Sequence, residues 1–162
     1  MNSLNIKIAT LNNVVIIKFI GHAGADRAED LKEIFEKSIS KGRNHFLIEL
    51  SQCSYMDSTF IGMLLFMNKT AINHRGNMVL LNTQEEIKTI FKNMGLHTFF
   101  IMETSENFKK LHNLSDVKHK DHPKKEQLKD MLMAHEAIIA SSPKQQSKFQ
   151  NLIDFLKKEI EE

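Results

Sequence analysis

From Ser58 to Asn68 the chain carries no Asp, Glu, Lys or Arg. Phe60, Leu64, Met67 and Ala71 repeat at helical spacing, and Ile61, Leu65 and Ile72 stand beside them. A helix that is apolar over most of its circumference has to be sandwiched between other elements, because one polar face is the least that a surface helix needs. The run Phe46 to Leu50 just before it is short, apolar and bounded by polar residues, as in a buried strand. Between the two lie a polar stretch, expected as a loop, and then Asp57-Ser58-Thr59. A buried strand thus delivers a hydroxyl-bearing turn to the start of a buried helix.

The remaining chain supplies what such a helix can pack against. Leu4, Ile6 and Ile8 alternate with Asn5, Lys7 and Ala9, the pattern of a strand with one wet face. Leu11-Asn12-Asn13 makes a tight turn, and Val14 to Ile20 is a second strand rich in β-branched residues, completing an antiparallel hairpin. Gly21 to Ala25 is a small-residue loop. A helix opening near Asp26 presents Leu31, Ile34, Phe35 and Ile39, and Lys41-Gly42 ends it. After the central strand and helix, Arg75-Gly76-Asn77 leads into a short strand, Met78 to Leu81. Thr83 to Glu86 has the spacing of a capping box and opens a helix ending at Asn93-Met94-Gly95. A strand at Thr98 to Met102 and a short helix capped by Thr104 follow. The order β-β-α-β-α-β-α-β-α predicts an α/β fold, a mainly parallel sheet made mixed by its leading hairpin.

This unit is expected to span residues 1–112. Residues 113–123 are polar and predict a linker. Residues 124–162 hold two amphipathic stretches broken at Ser141-Ser142-Pro143, a helical hairpin expected to pack on its own domain or to form a homodimer with a second copy. The net charge of +2 and interleaved signs give no nucleic-acid-binding stripe. One cysteine, Cys53, excludes an internal disulfide and fits a reducing compartment. No secretory leader is visible, and no apolar run approaches the roughly 18 residues of a membrane helix. A cytoplasmic protein is expected, without membrane insertion.

Several chemistries can be weighed on the residues alone. A serine nucleophile elbow would place glycines where Met56 and Phe60 stand, and no motif supplies a base for Ser58, so a hydrolase is not indicated. No phosphate-cradling glycine loop occurs, and no cofactor is expected. His119 and His122, with His112 and Asp121 nearby, have permissive metal-ligand spacing, but a solvated linker without a metal is the favoured reading. Two readings of Ser58 stay open. Asp57 or Ser58 is an ordinary N-cap, which residue types alone favour. Alternatively, the acid-free first turn leaves its amides to a phosphate on Ser58 or Thr59.

The segment Glu49-Leu50-Ser51 through Asp57-Ser58-Thr59-Phe60-Ile61-Gly62 to Leu65 resembles the signature of STAS domains, and more narrowly that of bacterial anti-sigma factor antagonists. The element order agrees with that resemblance over about Leu4 to His112. It implies a non-enzymatic, phosphoserine-controlled partner switch. On that implication Ser58 is the phosphoacceptor and Thr59 a weaker candidate. Asp57 orients it, and Met56, Asp57, Thr59, Phe60, Gly62, His22 and Gly24 belong to the partner-binding surface. Gly62 would also allow close helix packing. The implied partners are an anti-sigma factor with serine kinase activity, bound when Ser58 is unphosphorylated, and a resetting phosphatase. Phe60 departs from the family pattern, which has Gly there, and the Gly21–Ala25 loop lacks its usual Leu-Asp. The alternative is a STAS scaffold in a signalling or lipid-transport assembly, with Ser58 only a cap.

Overall fold

The computed structural model describes residues 4–111 and 113–162. Six strands, β1 (Asn5–Leu11), β2 (Val14–Ala23), β3 (His45–Met56), β4 (Asn77–Leu81), β5 (Ile101–Glu103) and β6 (Ser115–Val117), form one mixed sheet in the order β5-β4-β3-β2-β1-β6. β1 and β2 make the expected antiparallel hairpin, turning through Asn12 at φ 57°. β2, β3, β4 and β5 run parallel. The connecting helices are α1 (Ala28–Ser40), α2 (Ser58–Asn73), α3 (Glu85–Asn93) and the single turn α4 (Glu106–Lys109). Two longer helices, α5 (Lys124–Ser141) and α6 (Gln146–Glu161), form the C-terminal hairpin.

The charge-free helix is covered as its sequence requires. α2 touches β3, β4, α1 and α5, and its residues from Thr59 to Leu65 are all buried. The face of α2 turned to the hairpin is built on Gly62. A Cβ there would lie 2.3 Å from the Ala134 carbonyl oxygen, so the two helix backbones meet where only glycine fits. The hairpin therefore packs on its own domain, one of its two expected arrangements. α6 closes the layer with Phe149, Ile153 and Leu156.

Five local expectations are corrected. The polar stretch Ser51–Met56 is strand, not loop. β2 also continues into the expected Gly21–Ala25 loop, as far as Ala23, and the two extended strands satisfy each other's backbone groups up to Ala23 opposite Met56, across two register shifts. The Thr83–Glu86 capping box does not form. α3 begins at Glu85 behind Gln84, and the Gln84 amide instead donates to the Ser51 carbonyl at 2.9 Å. The last parallel strand is shorter and later than expected, because His97–Phe99 form a 3-10 turn. Finally, the supposed linker is built into the domain: β6 adds to the free edge of β1, pairing Ile6 with Val117.

The start of the family-like signature has a structural use. Glu49 is fully buried, and its carboxylate accepts from the Ser51 backbone at 2.7 Å and from the Asn82 amide. Asn82 then accepts from the Ser105 N–H at 2.8 Å, which ties β3 to the ends of β4 and β5. Buried carboxylates hold their place only with such donors.

Substituting Gly62→Ala tests the α2–α5 seat. Overpacking should cost about 1–3 kcal/mol, more than the helix-propensity gain of up to about 1 kcal/mol. A denaturant midpoint equal to that of the wild type would show that α5 does not sit there.

Candidate functional site

The turn between β3 and α2 is held by one carboxylate. Asp57 is the N-cap of α2, with extended backbone at φ −85° and ψ 172°. Its Oδ1 accepts the Phe60 N–H at 2.9 Å, the usual use of a cap. Its Oδ2 accepts the Ala25 N–H at 2.8 Å, and its own N–H donates to the Ala23 carbonyl at 3.0 Å. The turn is thus pinned to the end of β2. Gly24 is buried beside this carboxylate, since a Cβ there would stand 3.4 Å from Oδ2.

Ser58 is the first residue of α2 and is half-buried. Its Oγ lies 2.9 Å from Nε2 of His135, on α5. The imidazole's other nitrogen, Nδ1, is 2.7 Å from the Met131 carbonyl oxygen, which can only accept, so Nδ1 carries the proton. In the neutral ring Nε2 is then the acceptor and the Ser58 hydroxyl the donor. His135 is 1% exposed and stacks edge-on against Phe149 of α6, with ring centroids 4.9 Å apart. Burial pushes its pKa below the usual histidine value, against the Met131 carbonyl and the Asp57 charge.

The remaining expected surface divides in two. Met56, Thr59, Phe60 and Gly62 are buried and form no exposed contact surface in this conformation. Phe60 meets Phe19 of β2 edge-to-face at 5.0 Å, so the large ring in the glycine position is core filling. His22 is exposed and stacks with Tyr55, itself 43% exposed, at a centroid distance of 4.6 Å. These two rings and the exposed Asp26 form the open rim beside the Ser58 turn.

Sequence reading missed His135 and the residues that hold its helix. The available signal was a histidine four residues after Met131 on the apolar stripe of α5, where a polar ring needs a buried partner. His119 and His122 are not in a solvated linker. Nδ1 of His119 and Nε2 of His122 lie 2.7 and 2.6 Å from the two oxygens of Asp30 on α1, which Arg27 also meets at 2.7 Å. Burial alone would raise the Asp30 pKa, but these hydrogen bonds outweigh it and hold the carboxyl at about 2. Arg27 further donates to the Leu4 carbonyl and, at 3.1 Å, to that of Val117. His112 lies outside the described residues. Cys53 is buried, and burial lifts its thiol to about 11, which leaves it unreactive.

The Ser58–His135 pair resembles half of a hydrolase triad, but both Asp57 oxygens accept from backbone N–H groups and the second ring nitrogen of His135 faces the Met131 carbonyl, so no carboxylate stands behind the imidazole in a hydrogen bond. Among the described residues no helix is long and apolar enough to cross a membrane.

Comparison with known proteins now gives this geometry a family. The STAS domain profile matches residues 5–111, and the chain belongs to that family. Within it, the chain is 27% identical over 94 residues to an anti-sigma-B factor antagonist of Staphylococcus epidermidis, covering 58% of this chain and 87% of the relative. The fold is that of the anti-sigma factor antagonist SpoIIAA in its unphosphorylated form, at a TM-score of 0.55 and 17% identity over 64% of this chain and 92% of the other. The phosphorylated form of the Bacillus cell fate determinant SpoIIAA superposes similarly, at a TM-score of 0.54 and 20% identity, over 64% and 95% of the two chains.

The buried, neutral His135 gives the hairpin's seat a pH dependence. Its folded pKa is depressed, so the folded chain binds that proton more weakly than the unfolded one. The stability it contributes is present above about 6.5, the unfolded value, and is lost as pH falls through it toward the depressed value. The drop in denaturant midpoint between about pH 7.5 and 5.5 should be smaller in His135→Gln than in the wild type. Equal drops would contradict a neutral, buried imidazole.

Proposed function

We propose that the chain is an anti-sigma factor antagonist that switches partners through phosphorylation of Ser58. Membership of the STAS family and likeness to antagonists support the antagonist reading. The observation that carries the switch is the position of Ser58. It is the half-buried first residue of α2, behind a cap whose two oxygens are already engaged, in a first turn without an acid. A phosphate there would add about two negative charges beside Asp57 and would lie near the helix N-terminus. It would also remove the hydroxyl proton that His135 accepts. A dianionic phosphate has no proton to donate to a neutral Nε2, so the added group would have to recruit a proton or push α5 aside. Thr59 is a poorer acceptor, because it is 3% exposed.

On this reading the unphosphorylated chain binds an anti-sigma factor with serine kinase activity in the cytoplasm. The partner meets the rim of His22, Tyr55 and Asp26 together with the open edge of Ser58. The kinase supplies ATP, a phosphatase resets Ser58, and the chain itself is a substrate rather than an enzyme. On this reading it does not contact nucleic acid directly and does not insert into a membrane. The buried Met56, Phe60 and Gly62 act by holding the turn and α2 in place. A second reading, a STAS scaffold, is favoured by the Ser58–His135 hydrogen bond, which gives the serine a purely structural use.

Pull-down with a cognate kinase-type anti-sigma factor, combined with mass-spectrometric mapping after incubation with ATP, separates the two. Ser58→Ala should keep the partner and lose the phosphate, and Ser58→Asp should weaken binding at least about tenfold, the effect of about 1.4 kcal/mol. Undiminished binding by Ser58→Asp, with no phosphate on the wild type, would favour the scaffold.

A further inference from the structure

We propose that Glu29 and Glu33 of α1 and His122 before α5 form a divalent-cation site, beside the buried Asp130 of α5, that fastens the C-terminal hairpin to the STAS domain. Glu29 and Glu33 are one helical turn apart and so share a face of α1. One ligand atom from each of Glu29, Glu33 and His122 lies within 4.8 Å of the others. Small side-chain rotations would bring all three to one ion at metal–ligand distances near 2 Å. The imidazole is already set for this. Nε2 of His122 is 2.6 Å from the Asp30 carboxylate, which leaves Nδ1 toward Glu33 Oε1, 3.8 Å away and too far for a hydrogen bond. A carboxylate behind a histidine in this way fixes the ring and its tautomer for a metal on the far nitrogen.

An independent observation comes from the adjoining α5 residue. Asp130 is 1% exposed, and its Oδ1 is 3.2 Å from Lys32 Nζ while its Oδ2 has no hydrogen-bond partner. Oε2 of Glu29 is likewise buried without a hydrogen-bond partner, with Lys32 Nζ 3.9 Å away, and the two carboxyl groups abut. Two buried carboxylate oxygens facing each other without a donor are costly unless a cation or a proton stands between them. The local charge fits a divalent ion. With every carboxylate ionised, Arg27 offsets Asp30 and Lys32 offsets one of Glu29 and Asp130, which leaves two negative charges among Glu29, Glu33 and Asp130 apart from Lys120, which reaches Glu33 at 3.4 Å from a side chain 60% exposed. One imidazole nitrogen among carboxylate oxygens suits Zn2+ or Mn2+ better than Ca2+.

Such an ion would join α1 to the segment that leads from β6 into α5, while His135, the partner of Ser58, lies further along α5. Metal binding stands or falls separately from the partner-switch reading, since its readouts need no partner. Titration calorimetry with Zn2+ and with Mn2+ on the full chain should give one site. At a free-ion concentration about 100-fold above Kd the melting midpoint should rise by roughly 5–10 °C. Glu33→Gln and, separately, Glu29→Gln should each weaken binding at least about tenfold, and hydrogen exchange in Lys124–Ser141 should slow on adding metal to the wild type only. Unchanged affinity in both variants would assign the ion to exposed histidines and overturn the site. Absence of binding by the folded wild type would overturn it too, leaving a shared proton between Glu29 and Asp130.

Discussion

The structure depends on hiding α2. A helix without a charge through its first three turns cannot face water on any side, so the sheet, α1 and α5 must all be present to cover it. This makes the hairpin part of the domain's core instead of an appendage. Ala134, Ile138, Phe149, Ile153 and Leu156 are as buried as the strand residues of the STAS domain itself. The same packing sets the geometry of the turn. Gly62 allows α5 close enough for His135 to reach Ser58, and Asp57 fixes where Ser58 starts.

The hairpin and the turn are therefore coupled through a short physical path. Met131 orients His135, His135 accepts from Ser58, and Phe149 of α6 covers the ring. Asp30, with Arg27, His119 and His122, holds the other end of α5 near β1 and β6. A change at Ser58 acts on one end of this arrangement, and a change among the α1 carboxylates acts on the other. The STAS profile matches residues 5–111, so α5 and its contact with Ser58 lie outside the matched segment.

Much of the fold could be read along the chain. The alternation at Leu4–Ala9, the β-branched run from Val14 and the apolar stripe of α1 report local periodicity, and local periodicity is what a strand or helix face requires. The all-round apolarity of α2 foretold its sandwiching, and Asp57 is the cap its type suggested. What escaped was non-local. Ser51–Met56 is polar and became strand only because β2 extends alongside it. Thr83 and Glu86 have capping-box spacing, yet Gln84 is drawn to Ser51 on β3. His119 and His122 looked solvated because their carboxylate, Asp30, is 89 and 92 residues away in sequence. Phe60 looked like surface because a motif places it beside Ser58, whereas its ring meets Phe19 in the core. His135 was legible only as a polar residue on an apolar stripe.

The central claim is that Ser58 and the hairpin are one coupled unit. Hydrogen exchange across Lys124–Ser141, compared between the unmodified chain and the chain phosphorylated at Ser58, tests it most directly. Faster exchange in α5 around Met131–Ile138 is expected on phosphorylation, with β1 and β2 unchanged. Identical exchange of α5 in the two forms would contradict it.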